Sequence, residues 1–269
     1  MKKAILVALV LSAALCAAFA NGTKENSEDT SLSDVLSKGK FILGLDDSFP
    51  PMGYRDESNE IVGFDIDAAR EVCRRLGVEL VCQSIDWNAK EQELATKQID
   101  CIWNGFTITE DRKKAMEFTE AYVNNKQVIV VKSSSSFQTP ADFAGKTIGT
   151  QAGSSGAQAI ADNAAFASSL GEVIEFKDYL TALMDLEKGG VDGVVMDLIV
   201  ANYSIQESGK DFRILSEGLC NEEYGVGFRK GDIALRDAVQ AQLEAMASDG
   251  TLAEIATRWF GADITTIGK

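Results

Sequence analysis

The feature that most constrains the fold is an alternation of short apolar runs with amphipathic segments between residues 41 and 103. Phe41-Ile-Leu-Gly-Leu45 reads as a strand. The segment 65–77 places Ile66, Ala69, Val72, Cys73 and Leu76 at helical spacing, with Asp65 as its cap, Arg74 and Arg75 in its last turn and Gly77 as its terminator. Residues 78–84 give a second strand, residues 89–97 a second helix, and Ile99-Asp-Cys-Ile-Trp103 a third strand. Strands separated by helices pair in parallel, because the helix carries the chain back to the starting edge of the sheet. An α/β architecture is therefore expected. Between the first strand and the first helix, Asp46-Asp-Ser-Phe-Pro-Pro51 is a turn that Pro50 and Pro51 keep from becoming helical, and residues 56–60 form a polar hairpin.

The pattern then restarts. Residues 127–132 read as a strand running into Ser133-Ser-Ser-Ser136, a flexible punctuation. Beyond it come strands at 146–150, 173–176 and 193–196, with helices at 155–163 and 179–188. Glu222-Glu-Tyr-Gly-Val-Gly-Phe228 returns the chain to the first unit, which helices at 233–248 and 252–259 complete. The expected division is a first lobe from residues 32–131 and 222–269, and an inserted second lobe from residues 132–221. Two crossing strands would then act as a hinge.

The N-terminus reads as an export signal over residues 1–20: Lys2 and Lys3, an apolar run, and Ala18-Phe19-Ala20 as a small-x-small cleavage site. Cleavage near Ala20 is expected, with lipid anchoring through Cys16 as the alternative, disfavoured by Leu15 where such processing prefers a small residue. Residues 21–31 are polar and acidic and are expected to be a disordered lead-in. The remainder, roughly 250 residues, is enough for one large or two modest domains, and 45% hydrophobic residues in the full chain suffice for a core. Net charge is −15; without Lys2 and Lys3, 24 basic residues face 41 acidic ones, giving −17. That excess argues against nucleic acid and anionic membrane surfaces as partners.

The chain has no histidine, which excludes Ser-His-Asp and Cys-His catalysis and the mixed His/Cys zinc sets. No metal, cofactor or catalytic residue is assigned. Cys73, Cys82, Cys101 and Cys220 lack Cys-x-x-Cys spacing. Cys82 and Cys101 could pair if their strands are neighbours, since exported proteins permit disulfides; buried free thiols are the preferred reading.

One stretch concentrates chemistry. In Asn104-Gly-Phe-Thr-Ile-Thr-Glu-Asp-Arg112, Gly105 permits close backbone approach, Thr107 offers a hydroxyl and an N–H, and Thr109 is the N-cap of a charge-rich helix expected over 110–118, with Arg112 three residues on. An arginine at a helix start supplies a donor fork matched to a carboxylate. The plainer alternative is a strand-to-helix turn whose threonine caps and whose arginine faces water. Asp197, ending a strand, could likewise cap the helix after it, and Gly153-Ser-Ser-Gly156 could be an ordinary turn; it lacks the Gly-Lys-Ser/Thr ending of a nucleotide-binding loop.

Taken in order, several pieces resemble the amino-acid-binding proteins of bacterial ABC importers, family 3 of the solute-binding proteins. They are Asp46-Asp-Ser-Phe-Pro-Pro51, Val62-Gly-Phe-Asp-Ile-Asp67, Asp86-Trp87, the 104–112 stretch, Phe118-Thr-Glu-Ala-Tyr122 and Gly145-Lys-Thr-Ile-Gly149 with Gly153-Ser-Ser-Gly156. Asp192-Gly-Val-Val-Met-Asp197, Tyr224-Gly-Val-Gly-Phe-Arg-Lys-Gly231 and Asp249-Gly-Thr-Leu252 through Trp259-Phe-Gly261 continue the match over nearly the whole chain after the signal.

The resemblance implies the type II periplasmic binding protein fold, with two lobes closing on an interlobe ligand cleft. It implies that Arg112 clamps a carboxylate, helped by the Thr107 N–H and by Ser154 or Ser155. Asp197 would accept from an ammonium together with the Gly105 carbonyl and Thr107 hydroxyl. Asp46, Phe49, Trp87, Asn104, Gln151 and Met196 would set side-chain specificity, with Phe49 and Trp87 stacking on the ligand. Asn104 and Gln151, being neutral, favour a polar uncharged amino acid over a basic one. The expected partners are a free amino acid and the importer's membrane permease, with the receptor itself a monomer. A small-carboxylate dehydratase on the same scaffold and a detached sensor lobe are the competing classes.

Overall fold

The computed structural model describes residues 29–269. The signal segment, its cleavage site, Cys16 and most of the expected lead-in lie outside the described residues. The first lobe comprises α1 (Ser31–Lys38), β1 (Lys40–Leu45), the short strands β2 (Ser48–Phe49), β3 (Gly53–Arg55) and β4 (Ile61–Val62), then α2 (Phe64–Leu76), β5 (Glu79–Ser84), α3 (Lys90–Ala95), β6 (Cys101–Ile102), α4 (Glu110–Ala115) and β7 (Met116–Phe118). The second holds β8 (Val123–Lys132), β9 (Thr147–Gln151), α5 (Ser155–Asp162), α6 (Ala164–Ser169), β10 (Glu172–Phe176), α7 (Tyr179–Lys188), β11 (Gly193–Asp197), α8 (Leu198–Ser208), β12 (Phe212–Ile214) and β13 (Cys220–Tyr224). The first lobe is completed by β14 (Gly227–Arg229), α9 (Ile233–Asp249) and α10 (Thr251–Phe260).

Each lobe is built on one main sheet, and β2, β3 and β4 form a small antiparallel third sheet in the first lobe. The first main sheet has the order β5-β1-β6-β14-β7 and the second β10-β9-β11-β8-β12, with β13 also on β8. Strands separated by helices are parallel as expected: β1 to β5 and β6, β9 to β10 and β11. The strands that carry the chain between lobes, and their neighbours, run antiparallel.

Sheet membership moves the lobe boundaries. β8 belongs to the second sheet from Val123 onward, and β13 pairs along it from Cys220↔Gln127 to Tyr224↔Val123. The crossings therefore fall at 119–122 and 225–226, not at 131/132 and 221/222. The serine run at 133–136 follows a strand already committed to lobe two. A sequence pattern reveals a strand but not the partner its backbone will choose. The two crossings are tied to each other: Thr119 N–H donates to the Val226 carbonyl (3.1 Å) and Tyr122 N–H to that of Tyr224 (2.9 Å).

Three local expectations change. The helix starting at Glu110 stops at Ala115, because Met116–Phe118 pairs with β14 as an edge strand. α2 begins at Phe64 and Asp65 does not cap it; the N-cap is Gly63, whose φ of 144° and approach to Met52, 2.2 Å from its carbonyl for any Cβ, exclude a side chain. Finally, the last residues of the expected lead-in are docked. Asp29 accepts from Ala234 N–H (2.6 Å) and the Ser31 hydroxyl from Leu235 N–H (3.1 Å), so they supply the cap that α9 lacks in its own sequence.

Cys73, Cys82, Cys101 and Cys220 are free. Leu43 of β1 stands opposite Cys82 on one side and Cys101 on the other. Two strand spacings, about 9.6 Å, separate the pair, beyond the ~7 Å that a disulfide spans. Burial pushes the Cys73 thiol up to about 12 and that of Cys101 well above its ordinary value. Thiol labelling of the native protein with a disulfide reagent should therefore modify exposed Cys220 first, and reach Cys73 and Cys101 only after denaturation.

Candidate ligand-binding site

The loop after β6 and the start of α5 face each other between the two lobes, and the space left between them is a narrow cavity of about 10 Å³. Phe49, Trp87, Gly105, Thr107 and Arg112 line it from the first lobe, and Gln151, Ser154, Ser155 and Asp197 from the second. That is room for about one water molecule, far below the roughly 300–1,000 Å³ of ligand pockets, so a ligand enters only when the lobes part.

On the first-lobe side the backbone is fixed at Gly105. Its φ of 55° and the ring of Phe49, 2.8 Å from where a Cβ would stand, require glycine. The Gly105 N–H donates to Asp65 Oδ2 (2.6 Å), and Asp65, wholly buried, also accepts from the Tyr122 hydroxyl (3.0 Å). Thr109 caps α4, its hydroxyl accepting from Arg112 N–H (3.2 Å). The Arg112 guanidinium donates to the Thr107 carbonyl (2.7 Å) and lies 4.3 Å over the Phe106 ring. Burial draws its pKa down, while the carboxylates of Glu91, Glu222 and Asp197 oppose that shift. Arg112 is half-buried and lines both the cavity and the open groove beside it.

On the second-lobe side Ser154 caps α5, accepting from Ala157 N–H (3.1 Å) and donating to the Gln151 carbonyl (2.7 Å). The Ser155 hydroxyl meets that of Thr107 (3.0 Å) and accepts from Gln127 (3.1 Å). Asp197 makes no cap to α8. It is 2% exposed and accepts instead from Asn125 Nδ2 (2.8 Å) and the Tyr224 hydroxyl (2.6 Å). Burial, and then the neighbouring Glu222 carboxylate, push the Asp197 carboxyl well above the usual range.

Asp46, Asn104 and Met196 do not line the cavity. Asp46 stands behind Gln151, accepting from its Nε2 (2.7 Å) and, on the other oxygen, from the Ser48 N–H and hydroxyl. Asn104 accepts from Asp46 N–H (3.0 Å), one step further back. Met196 is wholly buried in the core, since strand alternation turns it away from the face that Asp197 presents.

Sequence reading missed Tyr179, Asn125, Gln127, Glu222, Tyr224 and Lys90. Tyr179 packs 6.0 Å from Phe49, and its hydroxyl is buried without a partner. Glu222 and Tyr224 share a strand face at i and i+2, a signal that period-two alternation could have supplied. Lys90, buried, donates to the Gly153 carbonyl (2.8 Å) across the cleft, and burial draws its amine down to about 8. With Asp46–Gln151, Thr107–Ser155 and the Tyr54 and Tyr203 hydroxyls (2.9 Å), it bridges the lobes. The lobes therefore stand closed on the cavity.

Two main sheets, two crossings and a charged cavity between lobes define a two-lobed solute receptor. The profile of the bacterial extracellular solute-binding proteins, family 3, matches residues 41–262, and the chain belongs to that family. It is 28% identical over 258 residues to the L-cystine-binding protein TcyJ of Escherichia coli K12, covering 95% of each chain. Among solved structures, Tv2483 bound to L-arginine superposes with a TM-score of 0.85 at 31% identity, over 90% of this chain and 99% of that one. The substrate-binding protein of an ABC uptake transporter from Streptococcus pneumoniae, with bound histidine, gives 0.84 at 36%, over 89% and 99%. The fold is thus that of the type II periplasmic amino-acid-binding proteins.

Burial raises Asp65 to about 7, against the hydrogen bonds from Gly105 and Tyr122 that favour its charged form. A carboxyl raised in the folded state stabilises the fold below its ordinary value, and that contribution is lost as pH rises through about 7. Thermal unfolding of the ligand-free protein should show a midpoint that falls between pH 5 and pH 8, and Asp65→Asn should remove part of that fall.

Proposed function

We propose that the cavity holds a free L-amino acid, trapped as the lobes close, and that the receptor presents it to the membrane permease of an ABC importer. The observation that carries this reading is the placement of opposite charges on opposite lobes around one small cavity: Arg112 on the first, Asp197 on the second. A molecule bearing a carboxylate and an ammonium on adjacent carbons meets both at once, so its binding energy favours closure. Arg112 clamps the carboxylate, with the Thr107 N–H and the start of α5 at Ser154 and Ser155 as further donors. Asp197 takes the ammonium with the Thr107 hydroxyl and the Gly105 carbonyl. Phe49 and Trp87 give apolar walls to the side chain, and Gln151 a polar one.

The expected preference for uncharged over basic side chains is withdrawn. Asn104 lies off the cavity, and the similar structures hold arginine and histidine. Asp46, spent on Ser48 and Gln151, acts as a strut between lobes rather than a ligand group. The relatives are named as binding proteins, and Asp197 has a role without invoking acid–base chemistry. The family places the receptor outside the cytoplasm; cleavage near Ala20 fits this, with a Cys16 lipid anchor as the alternative.

Protein refolded to strip ligand should gain thermal stability with one chemically related set among the twenty amino acids, cystine, citrulline and ornithine. A ligand at a hundred times its Kd adds about 2.7 kcal/mol. No shift with any of them would overturn the amino-acid reading. Stranding one member of a desolvated ion pair costs about 3–5 kcal/mol, and losing a neutral hydrogen bond about 1. Arg112→Ala should therefore weaken binding on the order of 100-fold or more, and Ser154→Ala several-fold, in calorimetric titration. Equal modest losses would contradict the assigned roles.

A further inference from the structure

The ammonium end of the cavity contains one more acid than an ammonium needs. Asn125 Nδ2 donates to Asp197 Oδ1 (2.8 Å) and to Glu222 Oε1 (2.6 Å), so a single amide nitrogen bridges two carboxyl groups. Gln127 Nε2 adds a second donor to the same Glu222 oxygen (2.9 Å), and the Tyr224 hydroxyl a second to Asp197 (2.6 Å). Both bonds to Asp197 end on Oδ1. Neither acid forms an ion pair among the described residues. The groups facing them are Asn125 and Gln127 from β8, Cys220 and Tyr224 from β13, Tyr179 from α7 and Arg112 from α4; Glu91 and Asp162 add negative charge further out. Arg112 is the one cation in that set, and it is engaged with the Thr107 carbonyl and the Phe106 ring.

Two like charges that share one amide donor, one of them buried and the other half-buried, do not both ionise without a counterion. Building on the amino-acid reading above, we propose that Glu222 is a positioning residue for the ammonium site: with Asp197 it forms a bridged acid pair that holds one proton in the unfilled cavity and releases it when an ammonium-bearing ligand binds. The proton sits on Asp197, facing the Glu222 carboxylate. When the ligand ammonium arrives, the Asp197 O–H bond breaks, the electron pair stays on the carboxylate and the proton passes to solvent. The ligand's positive charge then balances the second negative charge. Glu222 never touches the ligand; it sets how much pH matters to Asp197.

Glu222→Gln tests this, because its amide oxygen still accepts from Asn125 and Gln127. In ligand-free protein the variant should unfold at a higher temperature than the parent at pH 8, and the gain should shrink at pH 5. A variant no more stable than the parent at pH 8, or one with the same gain at both, would overturn the proposal. For binding, L-arginine and L-glutamine are titrated calorimetrically at pH 7 in phosphate and in Tris, whose ionisation heats differ. The parent should release up to one proton and bind more tightly as pH rises from 5.5 to 7.5, by at most about tenfold per pH unit. The variant should release less and show a flatter profile. Binding with the same heat in both buffers would sink the proton release while leaving the receptor reading intact. If no amino acid binds, the receptor reading fails, and the ligand-free comparison still decides the acid pair.

Discussion

Everything in this protein depends on the chain crossing between its lobes twice, side by side. The Thr119–Val226 and Tyr122–Tyr224 backbone bonds hold the two passages together, and β8 and β13 extend that pairing into the second sheet. A double crossing has few ways to bend. It lets the lobes approach and separate while keeping the start of α5 opposite the 104–112 loop, and a single linker would not preserve that register.

The strands that continue these crossings into the second lobe carry the site's chemistry. Asn125 and Gln127 lie on β8 and Glu222 and Tyr224 on β13, so the groups that surround Asp197 stand directly beyond the joint. Arg112 is held differently, by a short helix cap and by the carbonyl of Thr107 beneath it. One charge of the cavity is thus fixed within the first lobe and the other is held in the second by the strands that leave the junction. Closure and recognition share residues, which is how a small ligand can bias a large movement.

Much of this was legible in the sequence, for identifiable reasons. Helices and strands with clear periodicity, such as Tyr179–Lys188, were readable to the residue. Nine of the twelve positions that the family resemblance singled out line one cavity; the order of the motifs marked them, more than the local chemistry of any one. What failed was partner choice. The second lobe was expected to begin after β8 because a strand carries no label for its sheet, and β7 was expected as helix because its pairing with β14 comes from more than a hundred residues downstream. Asp65 read as a cap and is instead a buried brace for Gly105, because local spacing does not tell which distant polar group a side chain will meet.

The docking of Asp29 and Ser31 on the start of α9 has a consequence for how the chain assembles. The first lobe is closed by its two extremes, early residues supplying hydrogen bonds to a helix made near the end, whereas the second lobe runs without interruption from Val123 to Tyr224. A chain emerging from its N-terminus can complete the inserted lobe while the first is still waiting for β14, α9 and α10. The apolar faces of β1 and α2 remain uncovered during that interval, and it is over that interval, more than in the finished protein, that this molecule is exposed to aggregation.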